Sequence, residues 1–148
     1  LHQAQEHFDV IIIDTPASLG LLTTNALTAA QWVLIPIQAE FYALEGLSQL
    51  MLTVREVREA ANRDLRFEGV VLTMYDGRNN LARQVEADAR DNLGDMVFET
   101  RIPRNVRISE APSFAMPVLS YDPSSTGAVA YSALAKEILI KNNIMAEA

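Results

Sequence analysis

In this sequence, side chains able to do chemistry stand directly after apolar runs at separated points. Asp14 follows Val10-Ile11-Ile12-Ile13, Met74 follows Val70-Val71-Leu72-Thr73, and Pro103-Arg104-Asn105 follow a run that closes on Ile102. A buried strand that ends on Asp14 aims a carboxylate at the edge of a sheet, where it can hold a Mg²⁺ ion directly or through one of its waters. The same string of four apolar residues and an aspartate also suits a carboxylate that caps the next turn. Pro103 and Asn105 fit an ordinary strand-to-helix turn as well as a ligand loop, and the two roles are compatible.

Other reactive side chains make weaker sets. His2 and His7 lie in a polar start with no Cys and no further His at ligand spacing, so they do not form a metal site. Ser18 and Ser109 lack a paired His, which leaves no nucleophilic triad. Glu40 and Glu45 are read as carboxylates near a helix N-terminus, where the dipole favours them, or as contacts to a partner.

The elements that would carry these residues follow from periodicity. The continuous β-branched run at 10–13 predicts a strand buried on both faces of a parallel sheet. Further strands are predicted at 32–37 and 70–74, with weaker ones at 97–102 and 117–119. Between them the spacing becomes helical. Residues 41–62 place Leu44, Leu47, Leu50, Met51, Val54, Val57 and Ala61 in one stripe. Leu81, Val85, Ala89 and Leu93 form a second stripe, ended by Gly94. A last helix after Gly127 uses Tyr131, Leu134, Ile138 and Leu139, and residues 19–30 form another with Ser18 as its cap.

Strands alternating with helices in this way predict an α/β fold, with a doubly wound, mainly parallel sheet flanked by helices. Ligands of such sheets bind beyond the carboxyl ends of the strands, which singles out the residues after Ile13, Thr73 and Ile102.

Composition supports one domain of 148 residues: 49% of them are hydrophobic, and six Gly and six Pro are scattered rather than clustered. No apolar stretch exceeds about eight residues, too few to span a bilayer, and residues 1–8 lack the regions of a signal peptide. The absence of Cys fits a reducing compartment, with the cytoplasm as the default. A net charge of −7 means that any nucleic-acid contact needs a local cationic patch set against an unfavourable overall field. The start at Leu1, a few residues before a strand pattern, is read as that of an incomplete domain covering 1–148.

Asp14-Thr15-Pro16-Ala17-Ser18-Leu19-Gly20 resembles the Walker B and switch II segment of ParA/Soj-type partition ATPases, which belong to the deviant Walker A class of P-loop proteins. Three later segments resemble the same family, in family order. They are Ile35-Pro36-Ile37-Gln38-Ala39-Glu40-Phe41-Tyr42-Ala43-Leu44-Glu45-Gly46, Leu72-Thr73-Met74-Tyr75-Asp76, and Ile102-Pro103-Arg104-Asn105-Val106-Arg107-Ile108-Ser109-Glu110-Ala111-Pro112-Ser113.

The resemblance implies a P-loop NTPase-like fold whose N-terminal part is missing from this chain. It implies ATP and Mg²⁺ as ligands, with Asp14 as the catalytic and metal-holding carboxylate. Thr73, Met74, Pro103, Arg104 and Asn105 are implied as the adenine and ribose pocket, and Arg78 and Arg107 as nonspecific DNA contacts. Arg101 and Arg104 are possible neighbours of the DNA contacts, since Arg101, Arg104 and Arg107 recur every third residue in an acidic chain. The implied complete protein forms a homodimer with ATP, is reset by a ParB-type partner, segregates chromosome or plasmid, and is cytoplasmic and nucleoid-associated.

Two departures accompany the resemblance. Ala17 stands where the family often has a second Pro. The Gly-rich loop with its lysines has no counterpart, and no G-x-x-x-x-G-K-[ST] string occurs, so this chain by itself is expected not to hydrolyse ATP. The tail at 141–148 is too short and too lightly basic for the membrane helix of septum-positioning relatives, so no membrane contact is expected. Reductase relatives need a Cys-held cluster, which this sequence cannot provide. The competing reading is a receiver-like signalling domain phosphorylated on Asp14; it lacks a Lys after a later strand, because Pro103 and Arg104 follow Ile102. Sheet edges left bare by the missing part predict poor solubility or self-association.

Overall fold

The computed structural model describes residues 2–16, 18 and 20–144. Leu19, expected to open a helix, Ala17, and the end of the tail at 145–148 lie outside the described residues. The fold is α/β. Among the described residues its strands are β1 (Trp32–Gln38) and β2 (Arg66–Thr73), paired in one sheet. Gln31 O accepts from Arg66 N, and further along Ala39 N donates to Thr73 O, so the strands run in the same direction. β1 matches the predicted run. β2 begins four residues earlier than predicted.

By its contacts the chain divides into two compact units, Leu1–Val33 with Glu45–Glu68, and Leu34–Leu44 with Gly69–Ala148. In the first unit a short helix, α1 (His2–Gln5), precedes α2 (Leu21–Ala29), and α3 (Ala43–Ala60) supplies most of the rest. Leu27 of α2 packs with Val54 and Val57 of α3 and with Leu65, flanked by Ala30, Val33, Leu50 and Phe67. The Asn62 side-chain amide donates to Leu27 O (2.9 Å) and Ala30 O (2.7 Å), satisfying carbonyls that the end of α2 would otherwise leave open. Glu45 lies in the first turn of α3, as expected for a carboxylate favoured by the dipole.

Two expectations in this unit are corrected. Ser18 does not cap α2: Gly20 is the N-cap, and the Ser18 carbonyl accepts from Thr23 Oγ1 at 2.7 Å instead. Residues 10–13 are neither a strand nor buried, with Ile12 88% exposed and its three neighbours 37–47%. β-Branched residues favour an extended backbone, but only a hydrogen-bonded neighbour makes it a strand, and among the described residues none pairs with 10–13.

In the second unit the ordered helices are α4 (Asn80–Leu93), α5 (Val106–Glu110), α6 (Val118–Tyr121) and α7 (Thr126–Lys141). The Asn79 side chain caps α4 by accepting from Leu81 N, Gly94 follows as its C-cap with φ +54°, and the Ser125 side chain caps α7 by accepting from Ala128 N. Val71, Phe98 and Ile102 pack with Leu134 of α7, supported by Ile108, Ala130 and Ile138.

The predicted strand at 97–102 is present only in part, as single parallel bridges from Val97 to Val70 and from Pro103 to Tyr75. Its ladder is interrupted because the Glu137 carboxylate takes the N–H groups of Glu99 (2.7 Å) and Thr100 (3.0 Å). The predicted strand at 117–119 is instead part of α6. Pro117 is its N-cap with φ −68°, and its carbonyl accepts from Ser120 N and Tyr121 N. An apolar run this short carries no period that separates strand from helix.

Candidate functional site

The carboxyl end of β2 is held by its last side chain. Thr73 Oγ1 donates to Ile37 O of β1 at 3.0 Å. Met74 then turns the chain with φ +52°, a conformation that costs a non-glycine residue and persists only where its surroundings impose it. Beyond it, Tyr75 N donates to Ile102 O (3.1 Å), and Arg104 N donates to Tyr75 O (3.1 Å), which stitches the two chain segments together.

Asn105 caps the short helix that follows. Its Oδ1 accepts from Arg107 N at 2.8 Å, and its Nδ2 donates to Thr126 Oγ1 at 2.7 Å. Gly127 lets α7 approach α5 here, since a Cβ on it would meet Ile108 side-chain carbons at 2.6 Å.

These segments line a half-open cavity of about 210 Å³ formed by Thr73, Met74, Pro103 and Asn105, joined by Ile102, Ile108, Ser109 and Tyr131. The volume lies below the roughly 300–1,000 Å³ of a site that encloses a whole drug-sized ligand. Four of the five residues expected at a base and ribose pocket are thus brought together. Arg104 is not in the lining: its amide belongs to the stitching and its side chain is exposed. Ser109 and Tyr131 were not foreseen. Tyr131 was read as part of an apolar stripe, whereas it is 39% exposed at the cavity.

Asp14 belongs to the other unit and is exposed. Among the described residues its carboxylate neither caps a turn nor enters an ion pair, and no group of three or more His, Cys, Asp or Glu is placed to hold a metal. One carboxylate fits Mg²⁺ as a single ligand among several, the usual arrangement where phosphates and waters complete an octahedron.

The arginines expected at DNA are both engaged. Arg78 donates from Nε and Nη2 to the two oxygens of Asp76 at 3.0 and 2.8 Å. These bonds, with one from the Arg78 amide, pull the Asp76 carboxyl down to about 2. Arg107 pairs with Glu110 at 2.9 Å and Asp122 at 3.4 Å, with Glu110 the main cause of its raised pKa. Arg101 is turned toward the protein instead, paired with Glu86 and 5.4 Å over the Tyr75 ring.

Comparisons with known proteins agree with the resemblance read from the motifs. The profile of a family described as an AAA domain matches residues 1–67. The chain is 56% identical over 138 residues to the sporulation initiation inhibitor protein Soj of Bacillus subtilis, covering 93% of this chain and 54% of that protein. It is 53% identical to the chromosome partitioning protein ParA of Caulobacter vibrioides, covering 93% and 51%. The chain therefore spans about half the length of the curated relatives it matches. Among solved structures, cobyrinic acid a,c-diamide synthase from Mycobacterium smegmatis with bound ADP and magnesium superposes with a TM-score of 0.75 at 34% identity, covering 96% of this chain and 51% of that one.

Proposed function

Over 93% of its length this chain is a sequence of the ParA/Soj family, and from that premise we propose that it forms the base-and-ribose side of the ATP site of a DNA-partitioning ATPase. The observation that carries this reading is the cavity at the carboxyl ends of parallel strands, lined by Thr73, Met74, Pro103 and Asn105. In this reading Asp14 would hold Mg²⁺, directly or through water, and the ion would supply charge neutralisation to the phosphates. Arg104, whose amide is bonded to Tyr75 O, steadies the rim of the pocket. The chain's own share is to bind and orient the nucleoside. Phosphate binding needs a Gly-rich loop that these 148 residues do not contain, so the chain alone binds weakly and does not turn ATP over.

The rest of the function belongs to a protein of the relatives' full length. It dimerises with ATP, retains DNA without sequence preference through Arg78 and Arg107, is reset by a ParB-type partner, and is cytoplasmic and nucleoid-associated, segregating chromosome or plasmid. Support for a role at DNA comes from the partitioning relative at 53% identity. No described helix is long and apolar enough to cross a membrane.

Photolabelling with an azido-adenosine tests the site. Label should fall on the peptides containing Met74 or Pro103–Asn105 and be displaced by unlabelled adenosine. Label spread evenly along the chain, or not displaced, would sink the reading.

A further inference from the structure

Helix α4 carries a carboxylate inside its buried face. Glu86 lies in the same stripe as Ala82, Val85 and Ala89 and is only 8% exposed. Burial by itself raises the pKa of such a group, but donors outweigh it and hold the carboxyl below its ordinary value: Tyr75 Oη at 2.7 Å, then Arg101, then Arg90 Nε at 3.1 Å. The three donors come from different stretches of chain. Tyr75 immediately follows Met74, and Arg101 immediately precedes Ile102 and Pro103. A single carboxylate therefore ties down the residues that flank both sides of the cavity.

Met74 makes this arrangement more than a buried ion pair. Its positive φ needs restraint from both neighbours, and both are tethered, Thr73 to Ile37 O and Tyr75 to Glu86. Arg90 extends the same clamp, reaching Phe98 O at 3.2 Å and Glu99 Oε1 at 2.8 Å. The Arg101 guanidinium, over the Tyr75 ring, adds a contact that couples its two tethered residues directly.

We propose that Glu86, with Tyr75 and Arg101, forms a positioning cluster that holds the Met74 and Pro103 sides of the cavity in the geometry a nucleoside needs, so that Glu86 sets ligand affinity without touching the ligand. The ligand's identity rests on the nucleotide reading above; the cluster itself does not. Arg101 is thereby assigned to the pocket rather than to a DNA surface.

The test uses the intact chain with Glu86→Gln and Tyr75→Phe, read by amide hydrogen exchange and by titration with adenosine. Glu86→Gln should accelerate exchange at the Tyr75 and Arg104 amides about ten-fold more than at the Leu134 amide of α7, and weaken adenosine binding about ten-fold, because the charge shared by all three of its hydrogen bonds is removed. Tyr75→Phe removes only a hydroxyl, keeps the fold, and should give the same pattern at about three-fold. Equal acceleration at all these sites, or unchanged adenosine affinity in a folded variant, overturns the proposal. If the unaltered chain binds no adenosine, the nucleotide reading fails. The cluster then stands or falls on whether the exchange effect is confined to Tyr75 and Arg104.

Discussion

Residues 10–14 and 70–75 present the same sequence signal, a run of β-branched and aliphatic residues closed by a polar side chain, yet the second is paired and buried and the first exposed and unpaired among the described residues. Leu72 is fully buried, and its carbonyl accepts from Ile102 N at 2.8 Å. Ile12 is 88% exposed, and among the described residues its segment has no strand beside it. The difference lies in the neighbours rather than in the runs. β2 has β1 on one side and the segment at 97–103 on the other, so each apolar residue it buries is matched by satisfied backbone groups. A hydrophobic run becomes a strand only where a neighbouring segment, of the same chain or of another, completes its ladder.

The comparison breaks most visibly through core truncation. Leu72→Ala should destabilise the second unit by about 2–5 kcal/mol, whereas Ile12→Ala should stay within about 0.5 kcal/mol, both read from urea unfolding. Equal losses would mean that 10–13 is as well packed as β2. Gly127→Ala comes next, expected to cost about 1–3 kcal/mol as its new methyl drives against Ile108 at the cavity wall, again by urea unfolding. Met74→Gly should have the opposite sign. Relief of its positive φ stabilises the turn by about 1 kcal/mol, while the looser loop binds adenosine less well.

The smallest effect on the fold concerns Asp76, whose larger consequence is for the DNA contact proposed for Arg78. Its carboxyl falls from an ordinary 3.8 to about 2 in the folded chain. A lowered value means that the pair with Arg78 contributes fully above about 3.8 and is lost as pH falls toward 2. Near neutrality it therefore competes with phosphate for Arg78. In a full-length protein, Asp76→Asn should strengthen DNA retention, and Arg78→Glu with Arg107→Glu should abolish it. Each arginine lost lowers the slope of log affinity against log salt by about one. Unchanged retention in the double variant would remove these arginines from the DNA surface.

Much of this molecule is legible from spacing alone. The strand at 32–38, the α3 stripe through Leu47, Val54 and Val57, and the helix closed by Gly94 are legible because apolar positions in them are buried inside this chain, whereas in the α7 stripe Leu134 is buried and Tyr131 is exposed. Within the α4 stripe Val85 and Ala89 are buried as expected, but Leu81 is exposed and Glu86 takes a buried place. A carboxylate at the fourth residue after Ala82 reads as solvent-facing until its three donors, brought from residues 75, 90 and 101, are in place. The role of Arg101 was hidden for the same reason. Pro103 and Asn105 were singled out by the resemblance of residues 102–113 to ParA/Soj segments, since by residue type alone they fit an ordinary strand-to-helix turn equally well. Ser109 and Tyr131 were not, since only the packing that Gly127 permits brings α7 to the cavity.

The claim that the ends of β2 and of the segment at 97–103 form a nucleoside site is tested most directly by titrating the isotope-labelled 148-residue chain with adenosine and following its amide resonances. Saturable shifts centred on Met74, Asn105 and Tyr131, with residues 10–14 unmoved, are the result this account predicts. Shifts confined to the first unit, or none at any concentration adenosine can reach, would contradict it.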